Sequence, residues 1–208
     1  PGLPLLSQAG AWWRIWLPGV TMQYYPMTFL SFWVERRLWG LDTLGFHLVN
    51  IGLHVLNGVL AGFCLRRLGW RGAWLAAVIF VVHPVHAESV AWLSERKNLL
   101  SAFFYLAAFA ALLESEQKPG QRWYFAGTLL FFAALLSKTT ACTLPLALIL
   151  ALWARGKAFD ERWLKRLIAL SPGMKLIIAS RALFFLRLQA IVAGQTLFRL
   201  RTLGHRRS

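Results

Sequence analysis

A short stretch of the chain, HPVHAESVAWLSERKN, gathers ionisable side chains between two apolar segments. Within it, the carboxylate of Glu88 could orient or deprotonate a hydroxyl, with the imidazole of His86 beside it. The cations of Arg96 and Lys97 suit an anionic phosphate. We therefore take Glu88 and His86 as candidate catalytic residues, and His83, Arg96 and Lys97 as candidate substrate-binding residues.

Two other interpretations of the same stretch stay open on the residues alone. His83 and His86 are three residues apart and, with Glu88, resemble part of a metal site. The HExxH pattern is absent, however, and no third strong ligand is evident, so we predict no metal site. Alternatively, these groups are simply solvated where the chain leaves a membrane, with Trp92 at the level of the headgroups.

The composition places these residues in a membrane protein. Of the 208 residues, 58% are hydrophobic and 15% are charged, whereas soluble domains carry about a quarter charged residues. The apolar residues form blocks, as membrane helices require. The blocks predict spans at residues 45–65, 73–82, 99–113, 122–137 and 141–154. The expected fold class is an all-α polytopic transmembrane bundle of about five spans plus interfacial helices.

The formal net charge of +15 is interpreted as juxtamembrane Lys and Arg facing anionic lipid. We therefore expect membrane lipids, and no nucleic acid, among the partners. Arg66, Arg67 and Arg71 follow the first predicted span directly, so the positive-inside rule places that end in the cytoplasm. Glu88 and the turn at Lys138 then face the extracytoplasmic side. Lys138 either snorkels to the interface or binds a phosphate, and we add it to the candidate substrate-binding residues.

A polar stripe runs along the first predicted span. It consists of His47, Asn50, His54 and Asn57, at spacings that place them on one face of a helix. Polar side chains in a membrane helix usually face the protein interior or a wet cavity. We favour hydrogen bonds to neighbouring helices as the role of this stripe.

The residues before the first span are aromatic and basic, and too polar to cross a membrane. We interpret residues 1–44 as helices lying along the extracytoplasmic surface, where aromatic faces suit lipid headgroups or sugar rings. Tyr24 and Tyr25 are candidate substrate-binding residues on this basis. The rest of the chain divides into a transmembrane bundle (45–154), a basic juxtamembrane and partly helical segment (155–185) and a basic tail (186–208).

Three stretches resemble the bacterial multipass membrane proteins related to the transmembrane-and-TPR O-mannosyltransferases. They are QYYPMTFLSFWVERRLWGLDTLGFHLVN, HPVHAESVAWLSERKNLLSAFFYLAAF and ALLSKTTACTLPLALILALWARGK, and the resemblance covers about residues 12–170. It implies a C-type glycosyltransferase fold in the bacterial inner membrane. It also implies transfer of a sugar from a polyprenyl-phosphate carrier to a protein or glycan hydroxyl on the periplasmic side. We leave a divalent cation open as a cofactor, and the donor substrate implied by the resemblance is a polyprenyl-phosphate sugar.

The chain also departs from the family pattern. The family's first span, its first extracytoplasmic loop and its TPR array have no counterpart in the sequence. That loop holds the acidic pair thought to supply the catalytic base, and Glu35 and Asp42 lie outside the matching motif. An alternative function is therefore a non-catalytic membrane module that anchors or assembles partner proteins, inactive because the acidic loop is missing.

The tail at residues 186–208 contains five arginines and no acidic residue. One codon choice for this segment, read one nucleotide later, encodes YACKLLWPDKLCFVYARWDIDV, which resembles the family's continuation. We hypothesise that the tail is frameshifted and that its arginines have no evolved role.

Overall fold

The computed structural model describes residues 10–17, 24–117 and 121–156. Every regular element in these ranges is helical and none is a strand, which confirms the all-α prediction for this part of the chain. The predicted tail, and residues 157–185 of the predicted juxtamembrane segment, lie outside the described residues. The helices are α1 (Ala11–Arg14), α2 (Pro26–Trp39), α3 (Thr43–Arg67), α4 (Ala73–Val82), α5 (Ala87–Ala91), α6 (Arg96–Gln117), α7 (Arg122–Ser137) and α8 (Leu144–Ala154). Short 3-10 helices occupy Pro84–His86, Leu93–Glu95 and Thr139–Thr143.

Two of these helical segments are long and apolar enough to cross a membrane, namely Thr43–Arg67 and Leu93–Glu116. A third crossing is available if α4 and the segment Pro84–Ala91, which meet at a bend of 52°, act as one broken span. The helix α7 has 16 residues, so at 1.5 Å per residue it is about 24 Å long and falls short of a hydrocarbon core of about 30 Å. The described residues therefore contain two or three candidate spans, and the predicted count of five is not confirmed.

The longest helix, α3, has clear sequence signals at both ends. The carboxylate of Asp42 caps its N-terminus by accepting a hydrogen bond of 3.0 Å from the backbone N–H of Leu44. Arg66 and Arg67 occupy its last turn, where cations interact favourably with the helix dipole. Gly69 then takes a left-handed backbone conformation with φ of 89° that turns the chain toward α4.

The hydrophobic core lies between α6, α7 and α8. Leu112, Phe131, Leu135 and Leu144 are at most 1% exposed in its centre. The helix α3 packs against one side of α6, and α4 packs against α3. The opposite faces of α3 and α4 expose aliphatic side chains such as Leu48 and Val78, as expected for surfaces that meet lipid.

Small residues allow α3 and α4 to approach closely. A Cβ atom added at Gly62 would lie 2.8 Å from the Trp74 ring and 2.9 Å from the Cβ of Ala77. Gly58, four residues earlier, faces Val81 in the same way. This arrangement matches the small-xxx-small packing that is common between membrane helices. It holds the C-terminal end of α4 against α3. The segment that follows α4, residues 83–95, is called the polar loop below, and its start is held in place by the same contact.

Candidate functional site

The candidate site lies where α4 ends and the chain passes through residues 83–95 to α6. Pro84 has no backbone N–H to continue a helix, and α4 stops at Val82. The backbone N–H of Val85 instead donates to Nδ1 of His83 at 3.2 Å. The chain then forms only short turns and the five-residue α5 before α6 begins at Arg96. A break of this kind frees backbone carbonyls that need hydrogen-bond donors from elsewhere.

The polar stripe on α3 supplies those donors. The side-chain amide of Asn50 donates to the backbone oxygen of Val90 at 3.0 Å. Nε2 of His54 lies 2.9 Å from the oxygen of Val81, which fixes the proton on that nitrogen.

Asn57 contacts α6, where its side-chain amide donates to the backbone oxygen of Leu99 at 2.9 Å. The prediction of hydrogen bonds to neighbouring helices is thus confirmed for Asn50, His54 and Asn57. His47, the fourth residue of the stripe, is half-buried and makes no such contact within the described residues.

Arg96 is the most deeply buried cation of the described residues, with no exposed surface. Its Nε donates to Oδ1 of Asn50 at 2.6 Å, and one terminal nitrogen donates to the backbone oxygen of Phe46 at 2.6 Å. The other terminal nitrogen forms an ion pair with Oε1 of Glu35. The guanidinium also lies 4.8 Å from the centre of the Phe32 ring. All three nitrogens are therefore engaged inside the protein.

Glu35 is the partner that sequence reasoning left unassigned. It belongs to α2 and is 5% exposed, so burial raises the pKa of its carboxyl group while the nearby Arg96 guanidinium opposes that rise. The pair joins the helix before the first span to the start of α6. Arg96 was predicted to bind a phosphate, but in this arrangement a phosphate would have to displace Glu35 or a backbone carbonyl. Its observed contacts are those of a positioning residue.

A second polar cluster is half-exposed and centres on Asn98. Oδ1 of Asn98 accepts a hydrogen bond of 2.6 Å from Nζ of Lys138. Its Nδ2 donates to Oε2 of Glu95 at 2.8 Å and to Oγ of Ser89 at 3.3 Å. The other carboxylate oxygen of Glu95 accepts a hydrogen bond of 3.1 Å from Nζ of Lys97. Residues from the polar loop, from α6 and from the end of α7 therefore meet at one amide.

The two ammonium groups of this cluster, those of Lys97 and Lys138, carry one more charge than the carboxylate of Glu95 balances. Each ammonium has three N–H donors, and one donor of each is used in the hydrogen bonds of the described residues. The side chain of Lys97 is 20% exposed, and that of Lys138 is half-buried. The cluster can therefore receive an anion that has several acceptor oxygens.

The two tyrosines lie at this end of the molecule. The ring of Tyr25 is 5.9 Å from Nζ of Lys97, close enough for a cation–π interaction. The hydroxyl of Tyr24 donates to the backbone oxygen of Trp16 at 3.2 Å. Tyr25 thus lies beside the cluster centred on Asn98. Tyr24 instead connects the start of α2 to the segment that follows α1.

Three histidines, His54, His83 and His86, form a group separate from the lysines. The ring of His86 lies 4.3 Å from that of Phe80, 5.2 Å from that of His54 and 6.4 Å from that of His83, between ring centres. No group of three metal-ligating side chains occurs among the described residues. Glu88 and His83 are exposed.

The structure thus brings Lys97, Lys138 and Tyr25 together, and it separates Arg96 from them. Sequence reasoning missed Asn98 and Glu95, although their spacing of three residues was visible and places them on one helical face. It also missed Glu35, for which the available signal was a carboxylate in a strongly aromatic segment. The loop's geometry cannot be read from spacing, because it depends on donors supplied by α3.

Comparison with known proteins gives partial matches. Protein O-mannosyl-transferase TMTC3 of Mus musculus is 36% identical over 94 residues, which cover 45% of this chain and 10% of that protein. Protein O-mannosyl-transferase Tmtc1 of Drosophila melanogaster is 36% identical over 122 residues, covering 57% of this chain and 14% of that protein. Protein O-mannosyl-transferase TMTC4 of Homo sapiens is 35% identical over 121 residues, which cover 50% of this chain and 16% of that protein.

About half of this chain is homologous to proteins named O-mannosyl-transferases. The chain spans between 10% and 16% of the length of these relatives. No family model matches it, and no solved structure matches it. The matches and the two or three candidate spans of the described residues indicate a membrane protein, part of which is similar to part of these relatives.

Proposed function

We propose that this chain is a membrane glycosyltransferase-like protein of the O-mannosyltransferase type that binds the sugar donor and transfers its sugar. The enzyme transfers a sugar from a polyprenyl-phosphate carrier to a hydroxyl group of a protein or glycan. The described segment binds the phosphate of the carrier where the spans leave the membrane. On this proposal the protein is a multipass protein of the bacterial inner membrane, built as a C-type glycosyltransferase with about five spans. The site faces the periplasm.

The observation that carries the proposal is that Lys97 and Lys138 belong to one hydrogen-bonded cluster: Lys97 donates to Glu95, and Lys138 donates to Asn98, whose amide donates to the same carboxylate. The two lysines are 41 positions apart in the sequence, yet both bond within one cluster. A surplus positive charge and unused ammonium donors at a half-exposed position suit a phosphate monoester or diester. Lys97 lies in the first turn of the apolar helix α6, and Lys138 directly follows α7, so an amphipathic donor can place its chain in lipid and its phosphate at the lysines.

In this reaction, residues of the neighbouring loop (83–95) act on the acceptor hydroxyl. The acceptor oxygen attacks the anomeric carbon of the sugar, and the bond between that carbon and the phosphate oxygen breaks. The acceptor's proton passes to a carboxylate, for which Glu88 is the exposed candidate, and His86 lies two residues earlier. The departing phosphate gains negative charge, which Lys97 and Lys138 stabilise.

The remaining predicted residues have supporting places in this proposal. Tyr25 lies beside Lys97 and presents an aromatic face, which suits a sugar ring. Tyr24 and His83 lie in the adjoining segments and contribute to the walls of the site. Arg96 positions α6, so that Lys97 and Asn98 in its first turn are held in place.

A transfer assay tests the proposal. The full chain is reconstituted in liposomes with a polyprenyl-phosphate carrier bearing a radiolabelled sugar and a mixture of acceptor proteins. Transfer is compared between the parent, Glu88→Gln, Lys97→Gln and Arg71→Gln, the last being an exposed cation on another loop. We expect transfer by the parent and Arg71→Gln, and a loss of at least about tenfold in the other two variants.

An absence of transfer by the parent under all donor conditions would contradict the proposal. It would favour a non-catalytic module that anchors or assembles partner proteins. Equal transfer by the parent and Glu88→Gln would be consistent with the proposed transferase activity but would show that Glu88 does not accept the proton of the acceptor hydroxyl.

A further inference from the structure

We infer that Asn98 is a positioning residue that keeps Lys138 from pairing with Glu95 and thereby holds two ammonium groups ready for one phosphate. This inference rests on the proposed function, because it names the residue that sets the geometry of the phosphate site. Nothing in the resemblance or the comparisons assigns a role to Asn98.

The neighbours of the Asn98 amide determine its orientation. Its oxygen faces the ammonium of Lys138, and its nitrogen faces the carboxylate of Glu95 and the hydroxyl of Ser89. The reverse orientation would point N–H groups at a cation and an oxygen at an anion. The surrounding charges therefore fix the amide in one orientation. An amide fixed in this way presents an acceptor to Lys138 at a constant position.

The charges around Asn98 are balanced through its amide. Oε1 of Glu95 bonds to Lys97 and Oε2 bonds to Asn98, so both oxygens of the carboxylate have a donor. If Asn98 were apolar, Oε2 would lack its donor and Lys138 would lack its acceptor. An ammonium and a carboxylate in a half-buried site would then approach one another. Glu95 would bind both lysines and reduce the positive charge that they present to a ligand.

The backbone at Lys138 is held by its own hydrogen bond. The helix α7 ends at Ser137, and Lys138 takes an extended conformation with φ of −158° and ψ of 136°. Its backbone N–H is still bonded to the oxygen of Ala134 at 2.8 Å. This bond holds the main chain at Lys138, but on its own it does not restrict the rotamers of the long side chain. Asn98 provides the side-chain contact that fixes the position of the ammonium group.

Substitutions at Asn98 and Glu95 distinguish a positioning role of Asn98 from a purely structural one. In the variant Asn98→Leu, Lys138 moves to Glu95 and phosphate affinity falls. Adding Glu95→Gln to Asn98→Leu removes the competing carboxylate, so affinity returns although the Asn98 amide is still absent. The isosteric variant Asn98→Asp keeps the shape of the side chain but pairs Lys138 with a new carboxylate, so it also lowers affinity.

The test is binding by the full chain in nanodiscs of neutral lipid. The probes are a polyprenyl phosphate and the matching polyprenol without phosphate, each measured as quenching of intrinsic tryptophan fluorescence. We expect the parent to prefer the phosphate at least about tenfold, Asn98→Asp and Asn98→Leu to lose that preference, and Asn98→Leu with Glu95→Gln to regain most of it. Asn57→Leu, which removes another buried amide, should keep the parent's preference for phosphate even if it lowers thermal stability.

Three outcomes separate the inference from the proposed function. A parent without preference for the phosphate would contradict the proposed function itself. A parent with the preference, together with an unchanged Asn98→Asp, would overturn the role of Asn98 alone. A loss in Asn98→Leu without recovery on adding Glu95→Gln, in variants whose thermal unfolding matches the parent's, would also overturn it.

Discussion

The guanidinium of Arg96 pairs with the carboxylate of Glu35, which lies 61 residues earlier in the chain. Their side chains are 0% and 6% exposed, so the contact is made almost entirely out of water. It fixes α2 against the first turn of α6, whose next residues include Lys97 and Asn98. The helix that precedes the first span is therefore part of the support for the cluster formed by Lys97, Asn98 and Lys138.

Removal of one member of this pair should destabilise the protein strongly. Arg96→Leu leaves the Glu35 carboxylate buried without its counterion, and loss of one partner of a buried pair typically costs about 3 to 5 kcal/mol. The double variant Arg96→Leu, Glu35→Leu should recover most of this loss, because no buried charge remains. Thermal unfolding in detergent measures both effects. A double variant less stable than Arg96→Leu would contradict this account.

His54 should contribute to stability through the freed carbonyl at the end of α4. His54→Phe keeps the ring but removes the donor to Val81, and we expect a loss of about 0.6 to 2 kcal/mol, the range measured for hydrogen bonds between membrane helices. The matched control is His47→Phe on the same helix, which should change the unfolding temperature little. Equal effects of the two substitutions would remove the special role of His54.

Close contact between α3 and α4 should depend on Gly62. Gly62→Ala places a methyl group within 2.9 Å of Ala77 and against the Trp74 ring, and such overpacking typically costs about 1 to 3 kcal/mol. Gly52→Ala is the control, because nothing lies within 4 Å of a Cβ atom there. That substitution should be neutral or stabilising by up to about 1 kcal/mol through helix propensity. A neutral Gly62→Ala would contradict the packing.

Thiols placed on either side of α4, at positions 71 and 88, should be labelled from opposite sides of the membrane. In a background with Cys64 and Cys142 replaced by alanine, Glu88→Cys and Arg71→Cys each provide one exposed thiol. A reagent that cannot cross membranes should label Glu88→Cys from the periplasm and Arg71→Cys only after the membrane is permeabilised. Labelling of both thiols from one side would show that α4 and the loop re-enter the membrane without crossing it.

Sequence periodicity and composition were sufficient for the helical class and for the role of the α3 stripe. The regular spacing of Asn50, His54 and Asn57 placed them on one face, and apolar surroundings required that face to find polar partners. The five apolar blocks were also helical. Their number as membrane crossings was less secure, because a block such as α7 is predominantly apolar after Arg122 yet shorter than the hydrocarbon thickness.

The grouping of the charged residues could not be read from the sequence. Arg96 and Lys97 are adjacent, but successive residues of a helix point about 100° apart, and so one is buried against Glu35 while the other reaches Glu95. Lys138 was interpreted equally as a snorkelling residue and as a phosphate ligand. Its contact with Asn98 depends on how α6 and α7 pack, which is set by long-range contacts rather than by local spacing.

Photocrosslinking tests the central claim, that Lys97 and Lys138 hold the donor phosphate, most directly. A polyprenyl phosphate with a diazirine next to the phosphate is incorporated into liposomes with the full chain, irradiated, and the labelled peptides are identified by mass spectrometry. We predict labelling within residues 83–98 and 138–143, and its loss in the double variant Lys97→Gln, Lys138→Gln but not in Arg71→Gln. Labelling concentrated at residues 66–71, or spread over the exposed faces of α3 and α4 and unchanged in the double variant, would contradict the account.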